Sequence, residues 1–217
     1  MEYKNKILNK DCLDFMNNLP NNVFDVIIAD PPIESSGEYN SDKTNTYEDW
    51  AYLWISECSR ILKNNGKFIF ISNFAHRDLY FVLISKYFGN YKLIKCYFPY
   101  LLEIIIHDKN FKDKNFKTKN NNIETWEFKN NNNIEHHELK YINSIKNQTF
   151  DVCSTKLPNF LIKIIFDYYI NQNDFVYDVF SGSCVVPKIS KENDIDFVAT
   201  EINADYCNQF YKSTTPH

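Results

Sequence analysis

Apolar and polar positions along this chain alternate between two kinds of segment. "VFDVIIAD" (residues 23–30) is an unbroken apolar run of strand length, rich in Val and Ile. Such runs suit a parallel strand buried on both faces. "KFIFISNF" (67–74) reads the same way, as do the shorter "DFVYDVF" (174–180) and "DFVATE" (196–201). Residues 5–8 predict a short strand, and "KDCLDFMNNLP" a helix ending near Pro20. "YKLIKCYF" and "LLEIIIHD" flank Pro99 and predict two neighbouring strands, paired as a hairpin.

Between these runs the period changes. In "TYEDWAYLWISECSRILKNNG" the apolar residues Trp50, Leu53, Trp54, Ile61 and Leu62 recur at helical spacing, with Gly66 read as the stop. "HRDLYFVLISKYFG" is a second helix closed by a glycine. "LPNFLIKIIFDYYI" is amphipathic with Pro158 in its first turn. "SGSCVVPKISKEN" is a turn running into a helix, and "NADYCNQFYK" a closing helix. Strands alternating with helices predict a parallel α/β sheet. Residues 108–150 break the pattern: rich in Asn, Lys and Glu and without a period, they read as an insertion or flexible loop inside one 217-residue domain.

Composition adds bounds. Hydrophobic residues make up 44% and aromatics 17%, enough for a packed core. No apolar run reaches the length of a membrane span, and "MEYKNKILNKDC" has no apolar signal core, so a cytoplasmic protein is expected, or one of a nucleus or viral factory if the source is eukaryotic or viral. Cys12, Cys58, Cys96, Cys153, Cys184 and Cys207 form no CxxC pair and are expected mostly as buried thiols. The histidines lack ligand spacing, so no metal is expected. With a net charge of −4, any nucleic-acid contact must come from a local patch. The densest basic stretch, "KNFKDKNFKTK", carries Lys109, Lys112, Lys114, Lys117 and Lys119 with Phe111 and Phe116 between them, a mixture suited to phosphate contact plus stacking. A solvated loop explains it equally.

Two stretches carry candidate chemistry. In "VYDVFSGSC" a small-residue turn directly follows a strand, and "FVATE" ends its strand in Glu201 about twenty residues on. Ligands of open α/β folds bind at the carboxyl ends of strands, small residues allow close backbone approach, and a strand-end acid can hold the hydroxyls of a ribose. The pair points to a nucleoside-containing cofactor, although a plain tight turn would look alike. In "ADPPI" Asp30 ends its strand and two prolines follow. The proline rings fix φ and remove donors, while the Pro31 carbonyl remains, so a carboxylate and a carbonyl stand together on a stiff frame. Two such acceptors suit an amino group whose nitrogen attacks an electrophile and gains positive charge.

These motifs together resemble the DNA methyltransferases that modify the exocyclic amino group of adenine (N6) or cytosine (N4). "DPPI" resembles the family's (D/N/S)PP(Y/F/W), and "DVFSGSC" its DPFxGSGT. Having the first precede the second is the circularly permuted β-type order. "ILNKDCLDFMNNLP", "SRILKNNGKFIFIS", "STKLPNFLIKII" and "FVATEINADYC" are similar to further family segments in the same order. The resemblance implies a Rossmann-like methyltransferase fold with a mixed, mostly parallel seven-stranded sheet and helices on both faces. It implies S-adenosylmethionine as cofactor, held by Asp11, Cys12, Asp30, Phe180, Ser181, Gly182, Ser183, Cys184, Glu201 and Ile202. It implies that Asp30 and Pro31, with Pro32 and Ile33, receive a flipped base, since a stacked base cannot reach the methyl. DNA is the implied partner, with RNA as an alternative, and a homodimer or partner subunit is compatible with it.

Three positions depart from the pattern. Ile33 stands where the family has the aromatic that stacks on the base, Cys184 where it has the second glycine of the turn, and Lys156–Leu157 where it has Lys–Pro. A side chain at Cys184 is expected to crowd the cofactor or stiffen the turn. Two functions therefore stand at this point: methyl transfer to DNA, adenine before cytosine, or a methyltransferase-like subunit without activity that scaffolds or binds nucleic acid for an active partner.

Overall fold

The computed structural model describes residues 2–32, 46–72, 76–89, 91–96, 102–108, 123–128, 134–137 and 159–214. In chain order they form β1 (Lys6–Asn9), α1 (Cys12–Met16), β2 (Phe24–Ala29), α2 (Tyr47–Ile61), β3 (Leu62–Ser72), α3 (Arg77–Phe88), β4 (Tyr91–Cys96), β5 (Leu102–Asp108), β6 (Ile123–Phe128), β7 (Ile134–His137), α4 (Asn159–Tyr169), β8 (Phe175–Asp178), α5 (Val185–Glu192), β9 (Asp196–Glu201) and α6 (Ala204–Thr214). The strands make one sheet in the order β1-β9-β8-β2-β3-β5-β4-β6-β7.

The first five strands of that order pair in parallel, and from β3 onward every pairing is antiparallel. Among the first seven, β5 alone therefore runs against the rest. That is the expected mixed, mostly parallel seven-stranded sheet. The hairpin β6–β7 extends it along β4, which corrects the loop reading of residues 108–150 at these two segments.

The sheet separates two cores. One packs β2, β3 and β8 against α1, α2 and α3 through Phe15, Phe24, Trp50, Trp54, Phe68, Phe70 and Tyr177. The other packs the opposite face against α4, α5 and α6 through Val26, Ile28, Ile162, Phe166, Ile189 and Phe210. Continuous apolar strands follow directly: β2 is half-buried at Asp25 and buried at its other five positions. Asp25 escapes the cost of burial by accepting from the Phe175 backbone N–H at 3.0 Å and from Lys63.

α2 and β3 meet without a loop. Thr46 caps α2 by accepting from the Asp49 N–H at 3.1 Å, and the chain passes from Ile61 straight into the strand at Leu62. The expected stop at Gly66 thus lies inside β3, beside a register shift against β2. A Cβ on Gly66 would come within 2.9 Å of the Asp25 carbonyl oxygen, so the glycine serves close strand packing there. Cys12, Cys58, Cys184 and Cys207 are buried thiols outside any disulfide, as expected of structural cysteines.

Candidate active site

The carboxyl ends of β1, β9, β8 and β2 lie side by side, and each delivers a candidate residue. β2 ends at Ala29 and hands on to Asp30, Pro31 and Pro32, all half-buried. β8 ends at Asp178 and enters the turn Val179–Cys184, and β9 ends at Glu201. Two backbone bonds fix these ends to one another: the Val179 N–H donates to the Ile28 carbonyl and the Ser181 N–H to the Thr200 carbonyl, each at 3.0 Å. Beneath them a buried hydroxyl pair, Tyr177 and Thr200 at 2.8 Å, ties β8 to β9, with Thr200 donating to the Val179 carbonyl.

The turn after β8 is shaped by two residues in the left-handed region. Gly182 has φ +47°, and a Cβ there would meet nothing within 4 Å, so open space lies over its backbone. Its N–H donates to the Glu201 carboxylate at 2.6 Å, whose other oxygen accepts from the Asn203 N–H at 2.7 Å. Glu201 is therefore held in one orientation at the rim. Cys184 has φ +63° and caps α5. Its thiol is buried in the core under the sheet, near the Gly182 and Tyr206 carbonyls, and burial pushes its pKa up to about 11. This side chain packs into that core, and the open space lies over the neighbouring Gly182.

Three carboxyl groups converge. Burial pushes Asp30 up to about 7. Burial also pushes Asp178 up to about 8, reinforced by the charges of Asp30 and Glu201. Ser181 lies close enough to Asp178 to oppose that shift, although its hydroxyl makes no hydrogen bond of regular geometry among the described residues. Acids brought together and this reluctant to ionise favour a cation among them.

The wall of the site next to α2 and α3 is aromatic. Phe180 turns its ring onto Trp50 and Trp54, with centroids at 5.5 and 5.2 Å. Tyr47 donates from its hydroxyl to the Pro32 carbonyl at 2.7 Å and lies 2.6 Å from the hydroxyl of Tyr80. His76, with φ +55°, stacks on Tyr47 at 4.4 Å.

Comparison with known proteins adds to this geometry. No protein-family model matches the chain. The Type II methyltransferase M.BamHI of Bacillus amyloliquefaciens is 38% identical over 87 residues, covering 38% of this chain and 20% of that protein. M.HinfI of Haemophilus influenzae is 32% identical over 93 residues, covering 35% and 26%. The matched stretches thus span about a fifth to a quarter of the length of these curated relatives. Among solved structures, the M1.HpyAVI–SAM complex superposes with a TM-score of 0.58 at 16% identity over 97% of this chain and 99% of that one. The cytosine-N4-specific PvuII DNA methyltransferase gives 0.63 at 14% identity over 97% and 86%. The Thermus thermophilus protein TTHA0409 in complex with S-adenosyl-L-methionine gives 0.64 at 13% over 98% and 95%. The sequence matches carry the relationship and the superpositions carry the fold. Over those stretches the chain is similar to Type II DNA methyltransferases.

The structure brings Asp30, Pro31, Pro32, Ser181, Gly182, Ser183 and Glu201 to one end of the sheet. Ile202 is exposed beside Glu201. Asp11 begins α1, accepting from the Leu13 and Asp14 N–H groups at 2.9 and 3.2 Å. The Cys12 thiol is buried in the core and the Phe180 ring faces the tryptophans. Ile33, the Lys109–Lys119 stretch and Lys156–Leu157 lie outside the described residues. Sequence reasoning passed over Asp178, which has the same signature as Asp30 and Glu201, an acid ending an apolar strand. It also passed over Tyr47 and Tyr80, which carry no local signal.

Proposed function

We infer that this chain catalyses transfer of a methyl group from S-adenosylmethionine to the exocyclic amino group of a base in DNA, N6 of adenine before N4 of cytosine. The observation that carries the reading is the placement of Asp30 and Pro31, two acceptors on a proline-stiffened frame, beside the Gly182 turn and Glu201.

The residues fit the cofactor. Gly182 leaves open space over its backbone, and Glu201 keeps acceptor capacity beyond its two backbone bonds. The convergent Asp30, Asp178 and Glu201 suit a ligand bearing positive sulfonium and ammonium centres. In this reading Glu201 receives the ribose hydroxyls, the backbone of 181–183 runs under the methionine part, and Asp178 faces its ammonium group. The cofactor supplies an electrophilic methyl on a sulfonium. Asp30 and the Pro31 carbonyl accept the two amino hydrogens of the flipped base and orient its nitrogen. As that nitrogen becomes cationic, the Asp30 carboxylate stabilises the charge in a site already arranged for it and takes the proton the nitrogen then loses. No covalent cysteine is needed, and the buried Cys184 thiol is not a nucleophile. The packing of Cys184 away from the open space over Gly182 supports activity over the reading as an inactive subunit.

The test is methyl incorporation from labelled cofactor into unmodified DNA, followed by digestion and separation of N6-methyladenine from N4-methylcytosine. The reading expects N6-methyladenine. N4-methylcytosine would keep the chemistry and change the base, and absence of label in single- and double-stranded DNA would refute it.

A further inference from the structure

We propose that Tyr47, backed by Tyr80, is a positioning residue that locks the Asp30–Pro31–Pro32 segment. The proposal rests on the reading of this site as one that grips an amino group.

The geometry fixes the direction of the relay. The Pro32 carbonyl can only accept, so Tyr47 donates to it at 2.7 Å. With its hydrogen so committed, Tyr47 accepts from Tyr80 across their 2.6 Å contact. Both rings are 2% exposed, so water does not compete for either hydroxyl. The rings are themselves fixed. Tyr47 packs on Trp50 and His76, with centroids at 5.3 and 4.4 Å, and Tyr80 on Phe70 and Trp54 at 4.5 and 6.0 Å. The pair therefore joins the first turn of α2 to α3 and pins both to the tip of β2.

The effect on the segment follows from its covalent structure. Proline rings fix φ at positions 31 and 32. Tyr47 holds the Pro32 carbonyl, so the torsions left between the Asp30 carboxylate and that carbonyl are the ψ angles along the segment and the two side-chain torsions of Asp30. The segment that must hold two acceptors for one amino group is thereby nearly rigid. Tyr80 lies near enough to Asp30 for its phenol to respond to that charge, so the relay touches the segment at both ends.

The decisive experiment compares Tyr47→Phe and Tyr80→Phe with the unaltered chain. Two quantities are read: methyl transfer, with turnover separated from DNA KM and cofactor Kd, and the titration of the Asp30 carboxyl by carbon-13 NMR. Tyr47→Phe keeps the ring and loses the hydroxyl. It is expected to lower turnover about tenfold to a hundredfold, as a small misplacement of reacting groups does, while KM and Kd move less than about twofold. The Asp30 titration is expected to fall from its raised position toward the ordinary carboxylate range as water enters a loosened segment. Tyr80→Phe leaves the bond to Pro32 and is expected to give a smaller change in the same direction. The double variant should be no worse than Tyr47→Phe alone, the mark of one relay.

Unchanged turnover in an active protein, or an unchanged Asp30 titration, overturns the proposal. If the unaltered chain transfers no methyl, the functional reading fails, and the titration alone then decides the positioning role. Should Tyr47→Phe not fold, Tyr80→Phe carries the test, and no change in either of its readouts overturns the proposal.

Discussion

Asp178 and Asp30 are acids held against their own ionisation, and that has a thermodynamic consequence with a definite sign. A carboxyl whose folded pKa lies above its unfolded value binds more protons folded than unfolded between the two values. Stability contributed this way is present below the lower value and lost as pH rises through the upper one. With Asp178 raised from 3.8 to about 8 and Asp30 from 3.8 to about 7, folding stability is expected to decline from about pH 4 to pH 8. Asp178 is the deeper of the two, at 3% exposure. Asp178→Asn is expected to stabilise the protein at pH 8 by about 2 kcal/mol, which raises Tm by ~4–8 °C. That figure is a discounted share of the roughly 1.4 kcal/mol that each tenfold change in proton affinity represents. Calorimetry at pH 5 and pH 8 checks this, and a variant no more stable at pH 8 would contradict it. Cys184→Gly should be nearly neutral in stability, within about 1 kcal/mol, because relief of the left-handed backbone offsets the loss of a small buried group. Its affinity for S-adenosylmethionine should be unchanged; a clear gain would mean that the thiol intrudes on the cofactor. At this scale, Asp30, Gly182 and Glu201 were legible because strand-end acids and small-residue turns announce themselves locally. Tyr47 was not, since its partner, the Pro32 carbonyl, is set by the three-dimensional packing of α2 against the end of β2.

Elements whose pattern reports burial on both faces were legible, and elements whose existence depends on a neighbour were not. β2, β3, β8 and β9 are near-continuous apolar runs because helices cover both sides of the sheet. β6 and β7 lie in an Asn- and Lys-rich stretch without a period, and their backbones pair outward from β4 at the margin of the sheet. Strands at the margin of the sheet, β6 between β4 and β7 and β7 at the edge, satisfy backbone groups through their neighbours, which imposes little on side-chain order, so no alternation marked them. The junction of α2 with β3 was misjudged for a related reason. Gly66 was read as a helix stop, whereas its role is the close approach of β3 to β2. Gly66→Ala would place a methyl 2.9 Å from the Asp25 carbonyl oxygen and against the Leu62 side chain. It is expected to destabilise the fold by about 1–3 kcal/mol, and thermal denaturation should show the lowered Tm. An unchanged Tm would mean that the register shift beside Gly66 absorbs the added carbon.

The molecule as a whole arranges its strands so that β2, early in the chain, and β8 and β9, late in it, end side by side. The seven-stranded sheet was predictable from the alternation of strands and helices together with the resemblance to the family, which also gave the order of its two motifs. What the pattern of residues could not supply was the convergence of Asp30 with Asp178 and Glu201, more than 140 residues further along the sequence, because that depends on which strands become neighbours. Among the described residues no helix is long and apolar enough to cross a membrane, and no cluster of side chains suits a metal ion. The central claim is methyl transfer to an amino group held by Asp30. It is tested most directly by the transfer of labelled methyl from S-adenosylmethionine to unmodified DNA, with the unaltered chain and Asp30→Ala compared under conditions where both are folded. Label is expected in the DNA with the unaltered chain, rising with pH through about 7 as Asp30 ionises, with a loss on the order of a hundredfold or more in Asp30→Ala, as when one preorganised polar group is removed from a reaction centre. Equal incorporation by the two proteins would contradict it.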